Sequence, residues 1–528
     1  MTINIGLDEL VIWLWLIEKK LEKGSKRMTI KQAREMLAAA IAYLAVLAED
    51  PRRVLVMHMD HRYEEQQPEL VPYLGYDQWA AWLVIVEWFW MVALAIIGVM
   101  PEKDARLLTT ERLLYVLKHV TTTKQDRLEY GDKKKGTKGM GHDILALLAL
   151  MRRYLPKGLW KWLHYTATSY DTISTAYALQ LRVVFSLVLW PKMMALDETW
   201  RAKINEYLTT RQMFRTHLQP AIPGTVGFYL ACAHRQFTDC ALELQRAALA
   251  MPGKFCGFVG TAASQRAVGI PKKAERTLMS ILDLPVAKGS TQIAPIHHTV
   301  HFYSDLVAIG GPMMSLCEDL RILHMPELGE VVPSKEVDVT STSSAGAAKE
   351  ANPIRAENAI GADTIVLSCA LRPWLTRGSN FQRDLRWSSV MRTFIEALEY
   401  FAQELYSVKR QMSVLAFNEE RCLHWVQTFG PASLAELLHN ALQREGFAGA
   451  HTFVKKELIA RVKAGAPNLC VAAELYLQAN ETDQKFRRAW KGLTRRELHL
   501  LKHPTHYMGD AIKDARRETT NGLKPIAA

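Results

Sequence analysis

The sequence predicts a mainly α-helical fold, and three observations lead there. Apolar residues recur at i, i+3, i+4 and i+7 through most long segments, as in 143–155, 175–190 and 390–412. Alternating, strand-like stretches are few and short. Segments 169–190, 225–250 and 388–412 are too apolar to stand singly in water, so they must pack on other helices. The 528 residues suffice for two or three domains and a large core, and 49% apolar with 23% charged residues excludes broad disorder.

Taken in chain order, residues 1–51 hold an amphipathic stretch, LDELVIWLWLIEKKLEK, a basic turn, and then KQAREMLAAAIAYLAVLAED. They predict a helical hairpin set in front of the main body, packed on its own subunit or on a partner subunit. Residues 79–100 form an apolar run long enough to span a bilayer. Glu87 sits in the middle of that run, where a membrane would penalise it, and a buried helix of a large helical protein accounts for it equally well. No membrane is expected. Residues 131–141, GDKKKGTKGMG, predict a mobile loop, and 333–351, small and polar, a long loop before a helix. A structureless insertion of that length is either a lid or binding loop or a surface insertion. There is no internal repeat.

The formal net charge is +12, which suits an anionic partner, either a nucleic acid or a polyanionic metabolite. Nucleic acid would dock at Lys133–Lys135, Arg487–Arg488, Arg495–Arg496 or Arg516–Arg517, but no recognised nucleic-acid module accompanies them and none is expected to bind. The seven cysteines include no CxxC pair and no Cys/His cluster at zinc spacing. They predict buried thiols in a reducing compartment. With no signal peptide evident, a cytoplasmic location is expected.

Four segments carry chemistry. His142 lies in GMGHDILALLAL, after the Gly/Lys loop and just before a helix. In HYTATSYDTISTA (164–176), Thr168 and Ser169 fall where a helix begins, with Asp171 in its first turn. Hydroxyls and free N–H groups there bind a carboxylate, or simply cap the helix. His217, in FRTHLQPAIPGTVG, is a proton donor or a structural histidine. In FQRDLRWSSVMR, Arg383, Ser388 and Arg392 could reach one phosphate, or begin a helix with surface ion pairs.

Their order and spacing together bring in a resemblance. TSSAGAAKEANPIRAEN (342–358) resembles the flexible-loop motif of the fumarase/aspartase superfamily, GSSxMPxKxNP, with Ser343, Ser344, Lys349, Asn352 and Pro353 on its main positions. HYTATSYDTISTA resembles the superfamily's TSxDxxxTA stretch, and FRTHLQPAIPGTVG its RTHxQPAxPTTxG stretch. HRY at 61–63, RDLRWSSVMR at 383–392, STQIAP at 290–295 and PTHYMGDAI at 504–512 are similar to segments of the adenylosuccinate lyase family within it. The loop departs from the motif: Gly346 and Ala347 replace Met-Pro, Thr342 replaces the first Gly, and two residues rather than one separate Lys349 from Asn352. Trp387 stands where the family has Asp, and GTAAS (260–264) lacks the family's usual polar character.

The resemblance implies an all-α, three-domain subunit whose long central helices form the core of a homotetramer, with each site shared between subunits. The boundaries would be 1–51 for the N-terminal extension, 52–168 for a first domain, 169–414 for the helical bundle and 415–528 for a C-terminal domain. It implies β-elimination of fumarate from adenylosuccinate, giving AMP, and from the succinyl-aminoimidazole carboxamide ribotide. That chemistry needs a base, an acid and fixed donors for the developing charge. By resemblance Ser343 is the base, with Ser344 the alternative. His217 is the acid, and His142 orients His217 or the substrate. Thr168, Ser169, Gln292, Lys349 and Asn352 hold the fumarate-side carboxylates. Arg62, Tyr63, Arg383, Ser388 and Arg392 hold the nucleotide phosphate. No metal or redox cofactor is implied. Two alternatives stay open: a sister lyase or cycloisomerase acting on another succinyl-type acid, and a non-catalytic relative that binds an anion or nucleic acid.

Overall fold

The computed structural model describes residues 28–48, 66–131, 136–334, 351–383 and 386–526. The first part of the expected N-terminal hairpin lies outside them. Its second part is a helix, α1 (Ile30–Ala48), whose apolar face packs on the long apolar helix α2 (Gln78–Ile96). Shorter helices follow: α3 (Thr110–His119), α4 (Thr122–Tyr130) and α5 (Asp143–Arg152). Thr109 and Thr121 cap α3 and α4 by accepting from backbone N–H groups of the first turn.

α2 explains the bilayer-length run without a membrane. Every residue from Ala80 to Leu94 is buried among neighbouring helices. Three indole N–H groups that would be orphaned in that core all find acceptors: Trp82 on Tyr73 O at 3.0 Å, Trp88 on Met36 Sδ at 3.3 Å and Trp90 on Tyr165 O at 2.8 Å.

Next comes one helical run, Ser169–Glu206, made of α6 (Ser169–Val184), a π turn (Phe185–Leu189) and α7 (Trp190–Glu206). Pro191 accounts for the π turn: it brings no N–H, and its ring would clash with the carbonyl of Leu187 in a regular helix. A hairpin of β1 (Arg211–Thr216) and β2 (Gln219–Thr225) leads into α8 (Val226–Leu249). It is the one sheet among the described residues. After α9 (Lys273–Leu282) come α10 (His297–Leu323), α11 (Ile354–Leu375), the short α12 (Arg386–Met391) and α13 (Phe394–Val414).

α7, α8, α10, α11 and α13 close into a ring, each packed on the next and α13 back on α7. The bundle therefore has two ends. The start of α6 (Ser174), the segment leading into α10 (Ala294) and the start of α13 (Phe394, against Tyr177) meet at one end. The hairpin, residue Glu330 after α10 and Asn418 after α13 meet at the other. These are called the near and far ends below.

Beyond the bundle lies α14 (Glu419–Ser433), then a second hydrophobic core built by α15 (Ala435–Arg444), α16 (Leu469–Ala479), α17 (Gln484–Lys491) and α18 (Arg495–Lys502) around Leu438, Leu458 and Phe486. The chain then returns. α19 (Ala511–Glu518) packs on α8 and α7, and the residues after it run along α7, where Trp190 Nε1 donates to Lys524 O at 2.9 Å.

The latch for this return is the buried Asp197 carboxylate. It accepts from Leu523 N at 3.2 Å and Arg201 Nε at 3.0 Å, and its Oδ1 lies 2.8 Å from Nε2 of the buried His234. Removing a carboxylate from such a group leaves its partners unpaired, a loss of about 3–5 kcal/mol. Asp197→Ala should therefore lower stability by that order in urea unfolding. Limited proteolysis should cleave the segment after Met508 faster than in the wild type.

Candidate active site

The near end gathers most of the described polar groups that the sequence singles out. α6 begins at Ser169, with Thr168 as its N-cap. Asp171, in the first turn, is wholly buried and accepts from four donors. Thr168 N lies 2.9 Å from Oδ2, Lys254 Nζ 2.5 Å and Cys256 N 3.1 Å from Oδ1, and Gly257 N 3.0 Å from Oδ2. Lys254 is also fully buried, and its ammonium donates again to Gly257 O at 2.9 Å. This ion pair fixes the 252–262 loop against the start of α6. Burial pushes the neighbouring Cys256 thiol up to about 11, so it is no thiolate nucleophile.

The same loop positions the next segment. Gly260 has φ +80°, and a Cβ there would stand 2.1 Å from Ser290 O, so only glycine allows the approach. Two residues on from Ser290, Gln292 N donates to Gln382 O at 3.2 Å and its Oε1 accepts from Arg383 Nη1 at 3.2 Å. The Arg383 guanidinium lies over the Tyr170 ring, 3.9 Å from its centroid. Thr168, Ser169, Gln292 and Arg383 thus lie in one neighbourhood, with hydroxyls, an amide and a fixed guanidinium around a helix N-terminus: a setting for an anion.

His142 caps α5 in the adjoining region. Its Nδ1 lies 3.5 Å from Leu145 N and 3.2 Å from Asp143 Oδ1. Arg392 is exposed just after α12 and acts electrostatically on Glu129, Tyr130 and Tyr177, and Asp143 acts on Glu129 and Tyr177 as well. Burial and Asp143 together push the Glu129 carboxyl above its ordinary range. Ser388 is half-buried in α12, beside the buried Trp387.

His217 is elsewhere. It occupies the two-residue tip of the β hairpin with Leu218, and both have positive φ, +54° and +59°, as a type I′ turn requires. Non-glycine residues pay for that conformation in strain. The hairpin is held by the buried Glu330, which accepts from Gln212 Nε2 at 2.8 Å and Arg215 Nη2 at 2.5 Å. Gln292 precedes α10 and Glu330 follows it. With 27 residues, α10 separates them by about 40 Å. His217 and the near-end cluster therefore cannot meet on one substrate within one chain.

Asn352 lies two residues before α11, beside an open far-end cleft of about 960 Å³ lined by Glu318, Arg321, Val332, Pro353, Glu357 and Asn418. Arg62, Tyr63, Ser343, Ser344 and Lys349 fall outside the described residues.

Sequence reasoning assigned no role in the site to three groups. Lys254 is one. The others are His164, four residues before Thr168, and its partner Glu87 in α2, with His164 Nδ1 and Glu87 Oε1 2.6 Å apart. A signal existed for the pair: a lone carboxylate inside an apolar helix requires a buried donor somewhere in the chain.

A family model described as lyase matches residues 75–367, more than half of the chain. The chain belongs to this lyase family. The adenylosuccinate lyase of Archaeoglobus fulgidus is 26% identical over 468 residues, covering 88% of this lyase and 98% of the relative. That of Pyrococcus abyssi is 28% identical over 423 residues, covering 79% and 87%. Among solved structures, a fumarate lyase from Mesorhizobium sp. BNC1 superposes with a TM-score of 0.69 at 20% identity, covering 88% of this lyase and all of the other chain. The 3-carboxy-cis,cis-muconate lactonizing enzyme from Pseudomonas putida gives 0.68 at 21%, covering 86% and 96%. These likenesses establish the fold, with the helical architecture the sequence predicts.

Replacing Lys254 by the similarly sized Met would leave the Asp171 charge buried without its cation, a loss of about 3–5 kcal/mol. In this lyase Lys254→Met should lower the urea midpoint accordingly. Lys254→Arg, which keeps the charge, should retain part of the stability.

Proposed function

We propose that this lyase is an adenylosuccinate lyase. It removes fumarate from adenylosuccinate to leave AMP, and acts likewise on the succinyl-aminoimidazole carboxamide ribotide. The observation that carries the reading is the near-end cluster, where Arg383, fixed by Tyr170 and Gln292, faces the start of α6. Its donors suit a substrate with a phosphate and two carboxylates. The names of the relatives that cover 88% and 79% of the chain support the same reaction.

In this reading a base takes a proton from the carbon beside a carboxylate, the C–N bond breaks, and the leaving nitrogen receives a proton from an acid. Ser343 is the base, with Ser344 as the alternative, and His217 is the acid. His142 assists. Thr168, Ser169, Gln292, Lys349 and Asn352 hold the carboxylates; Arg62, Tyr63, Arg383, Ser388 and Arg392 hold the phosphate.

The separation along α10 then requires several subunits to build each site, and we propose a homotetramer formed through the bundle. α11 presents a partly exposed apolar stripe, Leu367, Leu371 and Trp374 at i, i+4 and i+7, suited to packing on another copy. The working division is 1–51, 52–168, 169–414 and 415–528, and the location cytoplasmic.

Conversion of adenylosuccinate, followed by absorbance with fumarate confirmed as co-product, tests the reading. A folded protein without turnover would move the substrate to another succinyl-type acid. His217→Ala and Ser343→Ala should each lower kcat by at least about 10²-fold, the usual worth of an acid or base. Arg383→Ala should mainly raise KM. Because the site would be shared, co-expressing the His217→Ala and Arg383→Ala chains should yield mixed oligomers more active than either variant at adenylosuccinate concentrations well below the KM of Arg383→Ala. No gain on mixing would count against a site that uses both His217 and Arg383.

A further inference from the structure

We propose that Glu87 is a positioning residue of this lyase: it fixes the backbone and ring of His164 beside the anion site where α6 begins. The proposal rests on the reading of the near end as the substrate's anion site, and extends it to two residues that the sequence motifs do not assign.

Glu87 is the one carboxylate in α2 and is fully buried. A carboxylate in that setting costs several kcal/mol unless it is paired and hydrogen-bonded. Three donors serve it: His164 N at 3.0 Å on Oε2, and His164 Nδ1 and Thr172 Oγ1, each at 2.6 Å on Oε1. Two of the three come from one residue, so Glu87 fixes both the backbone and the ring of His164. The backbone needs fixing. His164 has φ +58° and Thr166 φ +61°, conformations that cost a non-glycine residue energy and persist only when their surroundings impose them. α2 imposes this one twice, since Trp90, one turn after Glu87, binds Tyr165 O at 2.8 Å.

A merely structural partner for Glu87 could be any amide or hydroxyl. An imidazole adds a charge that responds to pH and a second ring nitrogen. With Nδ1–H given to Glu87, Nε2 remains for a ligand, and the side chain keeps 18% exposure. Two charged groups bear on the ring, Glu87 from α2 and Asp171 from α6, and the second is already paired with Lys254 of the 252–262 loop. Burial works against the imidazolium, but Glu87, and after it Asp171, outweigh burial and hold His164 above its ordinary value of 6.5. The ring lies four residues before the Thr168 cap.

The experiment reads His164 directly, through the pH dependence of deuterium exchange at its ring C2 by mass spectrometry, in wild type, Glu87→Gln and Glu87→Asp. The wild-type midpoint should lie above 6.5. Glu87→Gln keeps the shape and removes the charge, so its midpoint should fall by about one pH unit or more, a tenfold change in the charged fraction. Glu87→Asp should stay close to the wild type. With adenylosuccinate at pH 8, Glu87→Gln should raise KM about tenfold and change kcat little, and the alkaline limb of kcat/KM should move to lower pH by the same interval. A wild-type midpoint at or below 6.5 overturns the proposal whether or not the variants fold. So does a folded Glu87→Gln with unchanged midpoint and KM. If the wild type exchanges as expected but does not turn over adenylosuccinate, the substrate assignment fails and the pairing of Glu87 with His164 stands.

Discussion

The Asp171 carboxylate is the point from which the near end is built. It sits in the first turn of α6 and draws in the Thr168 backbone, the Lys254 ammonium and two N–H groups of the 252–262 loop. A buried ion pair is a poor source of net stability, because desolvation offsets most of its Coulomb energy. Its effect here is geometric. Once Lys254 is fixed, the loop must run past α6, Gly260 must lie against Ser290, and Gln292 must fall where Arg383 can reach it. A chain of short-range contacts thereby converts one carboxylate into the placement of segments more than 200 residues apart.

The bundle sets the second constraint. Helices are stiff rods, and a 27-residue rod keeps its two ends about 40 Å apart whatever the side chains do. The donors around α6 and the hairpin bearing His217 therefore belong to different places on the subunit. A substrate the size of a nucleotide cannot bridge them, so chemistry that uses both requires neighbouring copies to lie antiparallel, near end to far end. The strained tip of the hairpin fits that demand: two left-handed residues, one of them an exposed leucine, are a costly way merely to turn a chain.

Most helices were legible because one-sided burial imposes the 3.6-residue period on them, as in α6 and α13, whereas α2, buried on every side, was legible as a long apolar run. The start of α6 was legible too, since a Thr-Ser pair followed by an acid is a capping pattern with a direct physical cause. The hairpin was not. Pro220, Pro223 and Gly224 are residues that strands avoid, and tertiary support from Glu330 decides the matter instead. Neither was Lys254, whose partner is 83 residues away, nor His164, 77 residues from Glu87. Pattern reading sees neighbours in sequence, whereas buried charges choose partners in space. Glu87 announced only that a partner must exist.

Two buried carboxylates thus flank the contact between α2 and α6, and their partners differ in kind. An ammonium–carboxylate pair keeps its charge through neutral pH, while an imidazolium–carboxylate pair does not. The pairing of Asp171 with Lys254 is therefore suited to holding the fold at any physiological pH. The pairing of Glu87 with His164 is linked to protons. Because the folded histidine sits above its unfolded value, the stability it adds is fully present below about pH 6.5 and is lost as pH rises through the folded value. If stability were all that mattered, a lysine like Lys254 would serve Glu87 without that loss. A titratable partner placed beside the first turn of α6 makes sense where the charge itself meets a ligand.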